Sequence, residues 1–389
     1  MKEGWEVMKI GSVCEIKPPK KIAKQKLSDN EEVTFFPMAD LDKYNYYITP
    51  KTNRKLGEVY SGYVYFEDND VLLAKITPCF ENGKLGIANK LKNGIGFGSS
   101  EYIVLRPSNK VISEYIYYFL SIYSLRIIGK TKMVGAVGHK RIPIEYISNL
   151  DIIVQSIPEQ KRIVAIIDKA FTAIDKAKAN IENNIENTKE LFQSKLNEIF
   201  SQKGDDWEEK RLPECFKLKS GEGLTKKNMI EGEYKVFGGN GIAGYHNDFN
   251  LSNENIVIGR VGALCGNVRY LNEKIWLTDN AFRITEFKFD FNYKFLEYLL
   301  TYKNLRRYAR QSAQPVISNS SLSKITISFP KQKKEQCKIV DELNSISEET
   351  KKLETLYQHK IDKLVEFKKA VLEKAFKGEL TNGKQKQVY

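Results

Sequence analysis

The sequence predicts an α+β protein in which two strand-rich globules are connected by two long helices that pair as a coiled coil. Three observations carry this reading. At 389 residues the chain exceeds one ordinary hydrophobic core and suits two globules plus an extended part. Residues 163–200 and 339–376 align without a gap at a constant offset of 176. Neither segment contains Gly or Pro, and each is far longer than the usual helix of about 11–12 residues.

The strongest pattern in the sequence belongs to the two long helices. Ile163, Ile167, Ala170, Ile174, Ala177 and Ile181 recur at alternating steps of four and three, a heptad seam, and an extra step of four then leads to Ile185. The second copy runs Ile339, Leu343, Ile346, Thr350, Leu353 and Tyr357, with the same extra step to Ile361. Matched breaks allow two seams to keep facing each other. Pro and a Glu-Gln pair introduce both copies: Pro158-Glu159-Gln160, and Glu335-Gln336 after Pro330. Pro158 suits the first turn of a helix, where its missing N–H is not needed.

The segments before the helices repeat less closely. Trp5-Glu6-Val7-Met8-Lys9-Ile10 answers to Trp207-Glu208-Glu209-Lys210-Arg211-Leu212. Compact apolar helices are predicted at 114–128 and 293–308, each followed by a small-residue loop, at 134–141 and 312–320. Strand-like runs at 150–154 and 324–329 then lead into the long helices. Further runs at 63–66, 71–76, 102–105, 256–258, 268–271 and 282–284 are β-branched or aromatic and punctuated by Gly, Asn and Asp. The division is therefore 1–156, first globule; 157–204, central helix; 205–333, second globule; 334–380, C-terminal helix; 381–389, tail. The first globule is longer by about 26 residues, the difference between the Trp offset of 202 and the helix offset of 176.

Lys and Arg exceed Asp and Glu by 62 to 49, a net charge of +13 that favours a polyanionic partner. The excess is shared: 22 basic against 17 acidic residues in 1–156, and 20 against 15 in 205–333. The five cysteines have no C-x-x-C spacing and the three histidines are dispersed, so neither a zinc site nor a disulfide framework is expected. No apolar leader and no long apolar run occurs, which predicts a cytoplasmic protein with no membrane partner.

Strings that suggest catalysis lack their context. Gly239-Asn240-Gly241-Ile242-Ala243-Gly244 matches a dinucleotide fingerprint, but a polar turn is expected after it, at 245–250, instead of a helix to hold a pyrophosphate. Gly129-Lys130-Thr131 resembles the end of a P-loop, but position 124 is Ser. No Asp/Asn-Pro-Pro-Tyr/Phe tetrapeptide is present. Other loops suit nucleic acid. Lys75-Ile76-Thr77-Pro78-Cys79-Phe80-Glu81-Asn82-Gly83-Lys84 carries a strand into a polar turn, and glycines around Arg260 permit close backbone approach.

These segments, with 238–245, 258–262, 265–268, 314–321, 158–164 and Ala375-Phe376-Lys377-Gly378-Glu379-Leu380-Thr381, resemble the specificity subunits of Type I restriction-modification enzymes over nearly the whole chain. The resemblance implies two target-recognition domains in inverted orientation, joined by antiparallel helices, that read a bipartite double-stranded DNA target. It implies as partners two methyltransferase subunits using S-adenosylmethionine and a restriction subunit using ATP and Mg2+. No cofactor, metal or catalytic residue is expected in this chain. The candidate DNA-contacting residues are Lys75, Thr77, Phe80, Asn82, Lys84, His139, Lys140, Arg141, Asn240, Tyr245, His246, Arg260, Gln314, Ser318 and Asn319. Two rival readings are a coiled-coil scaffold for protein or RNA and a stand-alone nuclease or methyltransferase.

Overall fold

The computed structural model describes residues 4–43, 46–310 and 314–380. The expected tail at 381–389 and residues 312–313 of the second loop lie outside them. The described residues form two compact units, one drawn from positions 4–180 and 360–380 and the other from 181–359. Each unit thus takes a globule and part of each long helix.

In the first unit a four-stranded antiparallel sheet has the order Cys14–Ile16, Tyr102–Pro107, Val71–Ala74, Leu85–Ile87. A second sheet orders Thr52–Lys55, Glu32–Phe36, Ile95–Gly98 and Val64–Glu67, its middle pair parallel. Strand Glu6–Lys9 pairs with Asp151–Val154, the strand that feeds the first long helix. Every residue of Val71–Ala74 is buried, because both faces of this central strand are covered. Arg106 fastens it to its neighbour: Nε and Nη2 donate to both oxygens of the buried Asp70 at 2.8 and 2.7 Å.

The second unit repeats this plan with fewer strands. Its antiparallel sheet has the order Lys217–Ser220, Ala281–Thr285, Glu254–Gly259, Val268–Asn272. Only three strands, Gly241–His246, Tyr234–Gly238 and Ile275–Leu277, form its other sheet. Trp207–Arg211 pairs with Thr326–Pro330 before the second long helix. The extra strand Val64–Glu67 and the short helices Lys21–Lys26 and Leu56–Val59 accompany the greater length of the first globule.

The long helices span Ile157–Ser201 and Lys333–Phe376. At 1.5 Å per residue each extends about 65–70 Å. Within the first unit Lys368 binds Asp175 at 2.8 Å, and within the second Lys195 binds Glu342 at 2.9 Å. The partner number falls as the first helix advances, so the helices run antiparallel. Ile163, Ile167 and Ile174 are buried and Ile181 and Ile185 half-buried; Leu343 and Ile361 are buried and Ile339, Ile346 and Tyr357 half-buried.

Leu353 departs from the expected seam, being 39% exposed, while Glu354 is half-buried. From the buried Thr350 a step of four overshoots a full turn by about 40°, whereas a step of three falls about 60° short. The seam therefore passes through residue 354, and the extra step of four falls after Thr350, not after Tyr357.

The repeated Glu-Gln pair has a structural reason. Gln160 is fully buried; its Oε1 accepts from the Ile112 amide at 3.1 Å, and its Nε2 donates to the carbonyls of Lys110 and Gln155 at 2.7 and 2.8 Å. Gln336 accepts from the Asn292 amide at 2.8 Å and donates to the Pro330 carbonyl at 3.0 Å. Each glutamine pins the start of a long helix to the start of a globule helix. The apolar helices predicted at 114–128 and 293–308 are each broken. Ser113–Leu120 and Tyr123–Lys132 replace the first, and Tyr293–Tyr302 with a 3-10 turn at Leu305–Tyr308 replaces the second. Asn304 makes the second break by entering the left-handed region at φ +48°.

Candidate nucleic-acid interface

In the first unit the strand Val71–Ala74 ends at Lys75, where two loops meet. The Lys75 amide donates to the Glu101 carbonyl, and its carbonyl accepts from the Ile142 amide, both at 2.9 Å. Thr77 donates its amide to the Lys140 carbonyl at 2.9 Å, and Ile76 pairs with Arg141. Paired amides and carbonyls of Val134 and Arg141, at 3.0 and 2.8 Å, close the second loop. Lys75 and Thr77 are thereby brought beside the exposed His139, Lys140 and Arg141.

The second unit repeats this construction, with a single bond from the Arg310 amide to the Val316 carbonyl, at 2.9 Å, in place of the pair that closes the loop. The Arg260 amide donates to the Asn280 carbonyl at 2.9 Å, and its carbonyl accepts from Ile317 at 2.8 Å. Gly262 donates to the Pro315 carbonyl at 3.0 Å, and Val261 pairs with Val316. Arg260 thus holds the place of Lys75, and Val316 that of Arg141. The glycines do what side chains cannot: a Cβ on Gly239 would overlap the carbonyl oxygen of Val261.

The two sites differ in charge. In the first unit, Arg141 grips Glu101 with Nη2 at 2.7 Å and Nε at 3.0 Å, and the Lys75 ammonium lies 4.0 Å from the same carboxylate. Arg141 holds the Glu101 carboxyl below the usual glutamate range. In the second, Arg260 lies over the Phe282 ring, and Nη1 is 3.4 Å from Ser220 Oγ and 3.5 Å from the Asp279 carbonyl. Its Nε is buried and has no hydrogen-bond partner among the described residues.

Several expected contact residues serve the protein instead. Phe80 is 5% exposed and belongs to the core of the first unit, because its turn folds back over Gly129. His246 is 7% exposed; its Nδ1 accepts from the Ile230 amide at 3.0 Å and its ring meets Trp276 edge-on. The expected polar turn at 245–250 begins inside the strand Gly241–His246, which hairpins back on Tyr234–Gly238. Half-buried Lys84 donates Nζ to the Met38 carbonyl at 3.1 Å. Asn82, Tyr245 and Gln314 are exposed. Asn240 is also exposed, though its Oδ1 accepts from the Leu264 amide at 2.9 Å. Ser318 caps the turn Asn319–Leu322 by accepting from the Ser321 amide, and Asn319 is exposed with Nδ2 3.4 Å from the Leu218 carbonyl.

Glu101 and Asn280 were not in the sequence-derived set. Each immediately precedes an observed strand, Tyr102–Pro107 and Ala281–Thr285, but the sequence run 282–284 starts one residue late and would have paired Glu101 with Ala281. Among the described residues, no group of three His, Cys, Asp or Glu side chains is placed to hold a metal, and no helix is long and apolar enough to cross a membrane.

The doubled architecture agrees with a family model, the Type I restriction modification DNA specificity domain, which matches residues 2–187 and again 204–362. The chain belongs to this family. Specificity subunits of the Type I restriction enzymes EcoEI and EcoAI of Escherichia coli are 32% and 30% identical to it over 195 and 196 residues. Those stretches are 50% of this chain and 32% of each relative, so the match spans about a third of their length. Two solved structures share the fold of the specificity domains at 18% identity. A chain from a type I R-M system, solved to explain complex assembly and conformational transition, has a TM-score of 0.80 over 97% of this chain and 99% of its own. The HsdS subunit from Thermoanaerobacter tengcongensis has a TM-score of 0.62 over 97% and 98%.

Proposed function

We propose that this specificity-family chain reads a bipartite target in double-stranded DNA and directs the subunits of a Type I restriction-modification complex to it. Residues 1–156 and 205–333 are the two readers. The observation that carries the reading is the repeated site: the same backbone construction in both units sets a cation, Lys75 or Arg260, at the end of a central strand between two polar loops. A cation in such a place neutralises phosphate or meets a guanine edge, and the loops reach into a groove. The even excess of positive charge supports two such readers.

The chain does no chemistry itself. Two methyltransferase subunits bring S-adenosylmethionine, and a restriction subunit brings ATP and Mg2+, in the cytoplasm where the DNA lies. Leu191, Leu353, Leu356, Val365 and Phe367 leave exposed apolar surface on the long helices that suits docked subunits. The test is single-molecule sequencing of methylated DNA from cells expressing the chain with a methyltransferase subunit. A split motif with a methylated adenine in each half is expected. Methyl transfer by the rigorously purified chain alone, or a motif without two halves, would overturn the proposal.

A further inference from the structure

The two sites match in backbone and differ in one side chain at the same place. Glu101 and Asn280 each give their carbonyl, at 2.9 Å, to the amide of the site's cation. Each is followed by the first residue of the strand beside it, Tyr102 opposite Ala74 and Ala281 opposite Gly259.

We propose that this position specifies one base pair in each half of the DNA target: Glu101 with Arg141 reads a C·G pair, and Asn280 reads an adenine. The inference rests on the DNA-reading function proposed above. A carboxylate on a surface that meets phosphates is repelled by them, so its use there lies in accepting a hydrogen bond from a base. In the major groove cytosine offers the N4 amino group for this. Arg141 narrows the choice. Of its five N–H groups, Nε and one on Nη2 hold Glu101, and one on Nη1 donates to the His139 carbonyl at 3.1 Å. Two remain, enough for the O6 and N7 acceptors of guanine. An acceptor beside two donors is the complement of a cytosine donor beside two guanine acceptors. Thymine would offer the guanidinium a single acceptor.

The second unit cannot read this pair, because Val316 stands where Arg141 stands in the first. Asn280 is exposed; one of its two Nδ2 hydrogens is directed to Asp279 Oδ1 at 3.4 Å, and the other, with Oδ1, supplies the donor and acceptor that match adenine N7 and N6.

The experiment maps methylation motifs for complexes of the full chain with a methyltransferase subunit, comparing the parent with Glu101→Gln, Arg141→Lys and Asn280→Ala. In Glu101→Gln, preference for C·G at one position of one half should fall roughly 5- to 150-fold, the worth of one base contact, with the other half unchanged. Arg141→Lys keeps the charge but loses the fork, and should relax the same position; it decides the matter if Glu101→Gln fails to assemble. Asn280→Ala should relax one adenine in the other half. A split parent motif whose base preferences survive all three substitutions overturns this inference alone. Relaxation at a pair other than C·G in the first half, or other than A·T in the second, also overturns it. A parent motif without two halves overturns both this inference and the function beneath it.

Discussion

Arg260 and Lys75 hold equivalent places but rest on different neighbours, so salt dependence separates them. The Lys75 ammonium faces a carboxylate, Glu101, at 4.0 Å. Arg260 rests on neutral acceptors, Ser220 Oγ at 3.4 Å and the Asp279 carbonyl at 3.5 Å. Each cation that neutralises one phosphate adds about 0.9 to the slope of log affinity against log salt. Between roughly 50 and 200 mM salt, one such contact changes affinity about 3.5-fold. Arg260→Gln should therefore flatten the slope by about 0.9 if it meets phosphate. Lys75→Gln should flatten it by less, because Glu101 already serves Lys75 as a counterion and fewer ions are released on binding. The assay is fluorescence anisotropy of the assembled complex on a labelled target duplex over a salt series. If Arg260 instead meets guanine, the slope stays and affinity falls roughly 5- to 150-fold only where that base is present. An unchanged slope with unchanged base preference would remove Arg260 from the interface. Equal flattening by the two substitutions would refute the neutralising role of Glu101.

Other consequences concern the supports of these sites. Gly239→Ala drives a Cβ into the Val261 carbonyl and should destabilise the second unit by about 1–3 kcal/mol, read as a lower Tm; an unchanged Tm would contradict the close approach. Gln160→Ala orphans one amide and two carbonyls and Gln336→Ala one of each, at about 1–3 kcal/mol per group left unsatisfied. Chemical denaturation should find Gln160→Ala the more damaging, and the reverse order would contradict the pinning role. The lowered pKa of Glu101 means that its pairing with Arg141 is complete above the ordinary glutamate range and is lost as pH falls through the folded-state value. Discrimination in the first half-site should thus persist at about pH 5, and its loss there would show that Arg141 does not hold the carboxylate ionised.

Periodicity is local, and what it records was legible. The long helices, the doubled plan and the strand runs follow from residues a few positions apart, and Ile163, Ile167 and Leu343 are buried as their spacing requires. Leu353 was misplaced because steps of three and four both lie near one helical turn, and only the packing of Thr350 and Tyr357 chooses between them. The helix breaks near residues 121 and 304 carry no Gly or Pro signal; Asn304 enters the left-handed region without one. The candidate site was half legible. Polar loops around Lys75 and Arg260 stand out in the sequence, but the pairing of Ile76 with Arg141 joins residues far apart in the chain. Burial of Phe80 and His246 follows from what folds over them, which no string of neighbours encodes. Glu101 went unnoticed because an acidic residue is not expected on a DNA-facing surface until its Arg partner is seen.

If two independent readers share one chain, exchanging one of them should alter only its own half of the target. Residues 1–156 are replaced by the corresponding segment of a family member with a different target, and the methylation motif of the hybrid complex is mapped beside that of the parent. One half of the motif should change to that of the donor while the other half is kept base for base. A hybrid in which both halves change together, or neither does, would contradict it.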